Sequence, residues 1–88
     1  MPRLSEPMRE ALRMAERYGS LIHRWSYWTH DGCEVVSRPG RGDRLAWTAL
    51  QSTINALTSR GFLRRDVRDY VITPAGREAL GMKEGEDV

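Results

Sequence analysis

Residues 47–80 read WTALQSTINALTSRGFLRRDVRDYVITPAGREAL, and this stretch decides the fold. Helix-forming sequence begins between Asp43 and Thr48 and stops at Gly61. Residues 62–65 and 70–73 predict two short strands around a tight turn at residues 66–69. Thr73 is then a helix cap with Pro74 at the first helical position, and Gly81 is the expected stop. The stretch therefore predicts a helix, a basic β-hairpin and a second helix in direct succession.

The first of these helices has two different faces. Its predicted apolar face carries Trp47, Leu50, Ile54 and Leu57. Asn and Gln side chains pair with adenine edges, and Ser and Thr contact several bases. An ordinary solvated face remains the alternative, but such a face usually carries opposed Glu and Lys pairs, which are missing here. The candidate base-contacting residues on the polar face are Thr48, Gln51, Ser52, Asn55 and Ser59.

The middle of the chain is basic. Residues 35–65 carry six arginines against one acid, Asp43, whereas residues 84–88 carry three acids and no base. Arginines contact phosphates and reach into the minor groove. Asp66 and Asp69 leave open a self-neutralising, solvated turn in the hairpin. The candidate phosphate-contacting residues are Arg38, Arg41, Arg44, Arg60, Arg64, Arg65 and Arg68.

The first half predicts a scaffold helix and an aromatic hairpin. Ser5 and Gly19 bound an amphipathic helix. Residues 20–29 are predicted to hold the first strand, residues 30–32 a turn, residues 33–37 the return strand, and residues 38–43 a flexible basic loop. Large aromatics favour the core, although they can also stack on unpaired bases. Trp25 and Tyr27 are expected on one strand face with Trp28 opposite, so at least one of the three is a candidate partner contact.

Residues 47–80 resemble the second half of a bacterial winged helix-turn-helix domain of the MarR-like and PadR-like type. The matching motifs are TINALTSRGFLRR at 53–65 and ITPAGREAL at 72–80. The resemblance implies a recognition helix over 48–60 and a wing over 63–72. The aromatic hairpin and glycine-rich loop stand where a typical member has a short second helix, as in small phage and mobile-element proteins with a reduced winged helix. The core positions implied are Leu57, Phe62, Leu63, Ile72 and Leu80.

Metal binding, catalysis and membrane insertion are disfavoured. Structural zinc usually takes four paired Cys or His ligands, and Cys33 beside His30 lacks a partner that would orient a base. No apolar run approaches the roughly 20 residues of a membrane span. A signal-peptide pattern is interrupted by Glu6, Glu10 and Glu16, so the protein is expected in the cytoplasm. Because no catalytic or metal-binding set is found, we also expect no enzymatic activity and no cofactor. The residues nearest to a metal set are His23, His30, Asp31 and Cys33.

The sequence thus predicts an α+β protein with one winged-helix-like domain over 1–82 and an acidic disordered tail over 83–88. Its elements are a scaffold helix, an aromatic β-hairpin, a recognition helix, a short wing and a C-terminal helix. The expected function is double-stranded DNA binding, as a small transcriptional regulator or accessory factor of bacterial or phage origin. A homodimer is expected because one short helix contacts few bases. The alternative is a winged-helix module that binds protein, such as a phage adaptor or inhibitor of a host complex, with no nucleic-acid role.

Overall fold

The computed structural model describes residues 4–86 of the chain, with side chains described for residues 4–81, and this part consists of three helices and three β-hairpins. The α+β prediction is confirmed. The elements are α1 (Glu6–Tyr18), β1 (Leu21–Arg24), β2 (Tyr27–His30), β3 (Val35–Arg38), β4 (Gly42–Leu45), α2 (Gln51–Ser59), β5 (Leu63–Asp66), β6 (Asp69–Ile72) and α3 (Pro74–Glu86).

Two antiparallel sheets organise these strands. The larger sheet has the order β2-β1-β6-β5, and the β3–β4 hairpin forms the smaller one. Leu21 of β1 pairs with Tyr70 of β6, which joins the C-terminal hairpin to the strand that follows α1. At one edge of this sheet, Trp28 of β2 forms an isolated bridge with Ala49. The larger sheet is therefore tied at one edge to the segment that leads into α2.

The core lies between the helices and one face of the larger sheet. α1 begins at the predicted cap, where the Met8 amide donates to Ser5 Oγ over 3.4 Å, and ends at Gly19 with φ 94°. Burying apolar side chains is the main favourable contribution to folding. The winged-helix resemblance implies five core positions, of which Phe62 is only partly buried. The other four are buried as expected: Leu57, Leu63, Ile72 and Leu80. The fully buried apolar side chains of largest volume are Leu12, Leu21, Ile54, Leu57 and Leu63.

The predicted aromatic hairpin has a different register. The chain reverses at Trp25 and Ser26, so β1 and most of β2 lie inside the single predicted strand, and His30 at the end of β2 lies in the predicted turn. Both turn residues have positive φ, 54° and 68°, as a type I′ turn requires. That turn normally carries Asn-Gly, so the sequence gives no local signal for it. Pairing of β2 with Ala49 and the bond from the buried Thr29 hydroxyl to the Trp47 carbonyl oxygen (2.7 Å) favour this register.

Two further boundaries differ from the prediction. The basic loop over 38–43 is the end of a hairpin, in which Arg38 pairs with Gly42. α2 begins at Gln51 rather than near Thr48, because Ala49 is extended and bridged to Trp28. Leu50 is the N-cap residue and its side chain makes no capping hydrogen bond. Assignment of Thr48 to the helix is therefore wrong.

The end of α2 matches the prediction at Gly61. The Phe62 amide donates to the Leu57 carbonyl and the Gly61 amide to the Thr58 carbonyl, each over 3.0 Å, while Gly61 has φ 78°. These two bonds form a Schellman motif, which favours glycine because of the positive φ. The chain therefore passes from α2 into β5 in a fixed direction.

α3 ends later than the sequence predicts. The predicted stop at Gly81 is wrong, since the helix runs to Glu86. It extends over residues 83–86 of the predicted acidic tail, and residues 87 and 88 lie outside the described residues. No helix in the described part of the chain has the length and apolar character that crossing a membrane requires.

Candidate nucleic-acid interface

The exposed face of α2 is polar and uncharged. Gln51, Ser52, Asn55 and Ser59 are all exposed, and the nine residues of the helix include no charged side chain. Thr48 is half-buried and lies before the helix, so only four of the five predicted base-contacting residues share this face. The surface can donate and accept hydrogen bonds without repelling phosphates.

A hydrogen-bond chain anchors this face to the core. The buried Trp28 donates from Nε1 to Gln51 Oε1 over 2.8 Å, and Gln51 Nε2 donates to Asn55 Oδ1 over 2.9 Å. Gln51 is thereby held by two partners, which reduces its freedom to turn toward a base. Asn55 keeps its amide N–H groups and a second lone pair on Oδ1 for other partners. Gln51 therefore positions Asn55.

The apolar side of α2 is narrower than predicted. Ile54 and Leu57 are buried, but Leu50 is 58% exposed because it precedes the first helical turn instead of continuing the stripe. Trp47 is partly buried against the core from the extended segment. The expectation that Leu50 shares this buried face is therefore wrong.

The β5–β6 hairpin presents arginines on both of its faces. Arg64 pairs with Val71 and Arg65 with Tyr70, and successive strand residues point to opposite faces. Arg65 lies 5.8 Å from the centroid of the Tyr70 ring, and its Nε donates to the Val67 carbonyl oxygen over 3.2 Å. Arg64 and Arg68 are exposed.

Charge on this hairpin is not neutralised by direct pairing. Within residues 4–81, the ion pairs are Arg9 with Glu6 and Arg77 with Glu16, and they involve no residue of the hairpin. Asp66 and Asp69 face each other across the strands as a register pair. Residues 60–69 hold four arginines against these two aspartates, so this end of the molecule keeps a net positive charge.

The hairpin tip carries an exposed valine in a strained conformation. Val67 has φ 60° and is 86% exposed. A β-branched residue at positive φ is an outlier, and such residues cost on the order of 1–3 kcal/mol. Nothing in the sequence points to a role for Val67 beyond its place in a predicted tight turn.

Thr73 and Gly76 lock the base of the hairpin onto α3. The Thr73 hydroxyl donates to the Gly61 carbonyl oxygen over 2.6 Å and accepts from the Gly76 amide over 3.0 Å. The Thr73 amide donates to the Phe62 carbonyl oxygen, also over 3.0 Å. A Cβ placed on Gly76 would lie 2.3 Å from that same oxygen. The Thr-Pro-Ala-Gly sequence thus caps α3 and allows it to approach the hairpin closely.

The remaining three predicted phosphate contacts belong to a different sheet. Arg38, Arg41 and Arg44 lie on or between β3 and β4, whereas Arg60 is the C-cap of α2 and donates to the Ala56 carbonyl oxygen over 3.0 Å. The structure therefore divides the seven arginines into a group at α2 and β5–β6 and a group on β3–β4.

The three aromatic residues considered as partner contacts, Trp25, Tyr27 and Trp28, differ in exposure. Trp28 is only 5% exposed and packs edge-on against Tyr70 at 4.9 Å between ring centroids, so its candidacy as an exposed partner contact is wrong. Trp25 is 49% exposed and Tyr27 is 43% exposed. These two remain candidates for contact with a partner.

The residues considered for metal or catalysis have other contacts. Cys33 is buried, and its thiol donates to the Trp47 carbonyl oxygen at 3.5 Å. His30 stacks on Tyr18 at 3.8 Å between ring centroids. Among the residues that the structure describes, no three His, Cys, Asp or Glu side chains are placed to share a metal ion.

Comparison of this chain with protein-family models, curated proteins and solved structures found no match.

Proposed function

We propose that this protein is a double-stranded DNA-binding module, with α2 in the major groove and the β5–β6 hairpin on the adjacent backbone. The observation that carries the proposal is the exposed face of α2, which offers amides and hydroxyls and no charge. Such groups donate and accept at base edges. The module acts as a small transcriptional regulator or accessory factor of bacterial or phage origin.

The proposal includes a winged-helix arrangement in which β5–β6 is the wing. It is supported by the order of α2, the Gly61 stop and the hairpin, and by the pairing of Leu21 with Tyr70. The bridge between Trp28 and Ala49 supplies the support for the start of α2 that a second helix gives in a typical member of the class. The wing contacts phosphates through Arg64, Arg65 and Arg68, and Arg60 adds to the charge at its base.

The residues of α2 have different roles in this mechanism. Asn55 contacts an adenine edge, because a carboxamide matches its donor and acceptor pair. Ser52 and Ser59 make shorter contacts on either side. Gln51 holds Asn55 in place through the bond to its Oδ1. One helix of nine residues spans few base pairs, so binding as a homodimer to paired half-sites belongs to the proposal.

Fluorescence anisotropy of duplex DNA across a salt series tests the wing. The logarithm of affinity should fall linearly with the logarithm of salt concentration, by about 0.9 per phosphate contact. Replacing both Arg64 and Arg68 with Gln should make that slope less steep by about 2 if each arginine contacts one phosphate. The matched control is Arg13→Gln with Arg17→Gln, which removes the same charge from exposed positions on α1.

Equal changes in slope for the two double variants would mean that net charge, and not the wing, determines binding. No binding of the unmodified protein at low salt would contradict the proposal as a whole. Circular dichroism of each variant confirms that the fold is retained.

Base contact by α2 is tested separately with a preferred site selected from random duplexes. Asn55→Ala should weaken binding to that site by about 1–3 kcal/mol and binding to random sequence much less. Thr58→Ala is the control, because Thr58 is exposed on the same helix but its hydroxyl donates to the Ile54 carbonyl oxygen. Equal loss on both DNAs would remove Asn55 from base recognition.

A second candidate function is protein binding without a nucleic-acid role, as in an adaptor or inhibitor. It is favoured by two exposed apolar side chains beside the proposed interface, Leu50 and Val67. Leu50 is the N-cap residue of α2 and Val67 lies at the tip of the β5–β6 hairpin, so both belong to the elements that would meet a partner. If this function holds, Leu50→Ser and Val67→Ser should abolish partner binding, and duplex DNA should show no salt-dependent binding.

A further inference from the structure

A pocket of about 360 Å³ lies between the β1–β2 turn and the β3–β4 hairpin. Trp25 and Tyr27 line it from the first hairpin, and Arg38, Asp43 and Arg44 line it from the second. Small-molecule sites start at about 300 Å³, so this space suits a ligand of one base, sugar and phosphate better than a larger one. The pocket is formed by residues that the proposed duplex interface does not use.

The lining combines aromatic surface with arginine side chains. Trp25 and Tyr27 are both about half exposed, and the Arg24 guanidinium lies 5.5 Å from the Trp25 ring centroid. Arg38 Nε is buried and has no hydrogen-bond partner among the described residues. That atom is closed off from solvent, so the donors that Arg38 offers to a ligand are its terminal Nη groups. Arg38 and Arg44 outnumber Asp43, so the pocket is net positive.

We propose that this pocket binds one unpaired nucleotide. The base stacks on Tyr27, as bases do on aromatic side chains of single-strand binding proteins, and Trp25 lines the same pocket beside it. The phosphate accepts from Arg38 and Arg44, whose guanidinium groups present several donors to an oxyanion. The ligand chemistry is that of a nucleotide, supplied either by an unpaired stretch of DNA or by a free mononucleotide.

Asp43 gives the site a preference among bases. Its Oδ1 accepts from the Ser37 hydroxyl over 3.0 Å, which fixes the carboxylate at the pocket wall. A carboxylate accepts from the exocyclic amine of cytosine and has no such partner on thymine. The pocket therefore selects cytosine over thymine, and Asp43→Asn, which keeps the shape and adds a donor, should reduce that difference.

This site goes beyond the duplex-binding proposal and does not depend on it. Thr48 also lines the pocket and lies just before α2, so a nucleotide in the pocket would be close to the start of that helix. A duplex with an unpaired end could then occupy both sites. A single strand can occupy the pocket whether or not the duplex proposal holds.

The experiment measures binding of fluorescent oligodeoxycytidine and oligodeoxythymidine by anisotropy, and of blunt duplex in parallel. Tyr27→Ala should weaken oligodeoxycytidine binding by about tenfold, the effect of losing one stacked base. Tyr18→Ala is the matched control, because Tyr18 and Tyr27 are both 43% exposed and Tyr18 lies on α1 outside the pocket. The control should change binding less than about twofold.

Arg44→Gln provides an independent variant, since Arg44 is exposed and its loss leaves no cavity. It should weaken oligodeoxycytidine binding in the same direction, by about fivefold or more for a charge-assisted contact. Deoxycytidine monophosphate is then added as a competitor. If it displaces the oligodeoxycytidine, the pocket binds free nucleotides; if the oligodeoxycytidine stays bound, the pocket binds a strand.

Three results would overturn the inference: no binding of oligodeoxycytidine at low salt, equal loss in Tyr27→Ala and Tyr18→Ala, or unchanged binding in Arg44→Gln. Blunt-duplex binding separates the two proposals. Tyr27→Ala should leave the affinity for blunt duplex unchanged. If the protein binds duplex but not single strands, the pocket proposal is refuted and the duplex proposal for α2 is not.

Discussion

Replacing Gly76 with Ala should destabilise the protein although Gly76 lies within a helix. Ala normally stabilises a helix interior by up to about 1 kcal/mol relative to Gly. At this position, however, the added Cβ would lie 2.3 Å from the Phe62 carbonyl oxygen and 2.8 Å from Ile72 Cγ1. Carbon atoms normally stay at about 3.3 Å or more from a carbonyl oxygen, so α3 and the base of the hairpin must separate by about 1 Å.

The magnitude follows from three contributions. Overpacking typically costs about 1–3 kcal/mol. Separation also weakens the bond from the Thr73 amide to the same Phe62 oxygen, now 3.0 Å, which is worth about 1 kcal/mol. Subtracting the helix-propensity gain leaves a loss of about 2 kcal/mol in the free energy of unfolding. For a domain of this size, that loss corresponds to a Tm lower by about 10 °C.

Thermal and urea denaturation followed by circular dichroism measure this effect. Gly81→Ala is the matched control, since Gly81 lies on the same helix and a Cβ there meets no atom within 4 Å. The control should be as stable as the unmodified protein or more stable by up to about 1 kcal/mol. If Gly76→Ala were also as stable as the unmodified protein, the close approach of α3 to the hairpin would be refuted.

Three further changes test other parts of the structure. Thr73→Val removes the hydroxyl that is hydrogen-bonded to Gly61 and Gly76, so it should lower the free energy of unfolding by about 1–2 kcal/mol. Thr73→Ser keeps a hydroxyl and should retain most of the stability. An unchanged denaturation midpoint in Thr73→Val would count against the cap. Val67→Gly should raise the free energy of unfolding by about 0.5–1 kcal/mol, because glycine adopts positive φ without strain. A lower free energy of unfolding in urea denaturation would show that the turn is not strained. Gln51→Glu removes the amide donor to Asn55 Oδ1 and adds a negative charge at the start of α2, so it should weaken duplex binding both by releasing Asn55 and by repelling phosphates; equal or tighter binding would place α2 away from the DNA.

The C-terminal half was predictable because its signals are local. Gly61 ends α2 through its positive φ, Thr73 caps α3, and the helical spacing places Ile54 and Leu57 in the core, while the core positions of Leu63 and Ile72 were implied by the winged-helix resemblance. Each of these features depends on a few neighbouring residues, so the chain specifies them without reference to distant parts. The same locality made the polar face of α2 visible as a candidate site.

The first half was not predictable in the same way. The turn at Trp25 and Ser26 lacks the residues that favour positive φ, and the sequence instead offered His30-Asp31-Gly32 as the reversal. What fixes the register is contact with residues about 20 positions away, through the bridge between Trp28 and Ala49. That same bridge holds the chain extended and delays the start of α2.

The α+β class, the two ends of α1, the end of α2, the start of α3, the C-terminal hairpin and the residue types on the exposed face of α2 are all readable from the sequence. Tertiary structure alone decided that Trp28 is buried and anchors Gln51, that Gly76 must lack a side chain, and that Trp25 and Tyr27 share a pocket with Arg38 and Arg44. The physical reason is separation along the chain. Caps and turns are formed by residues within a few positions of each other, whereas registers, close approaches and pockets are formed by residues that only the folded chain brings together.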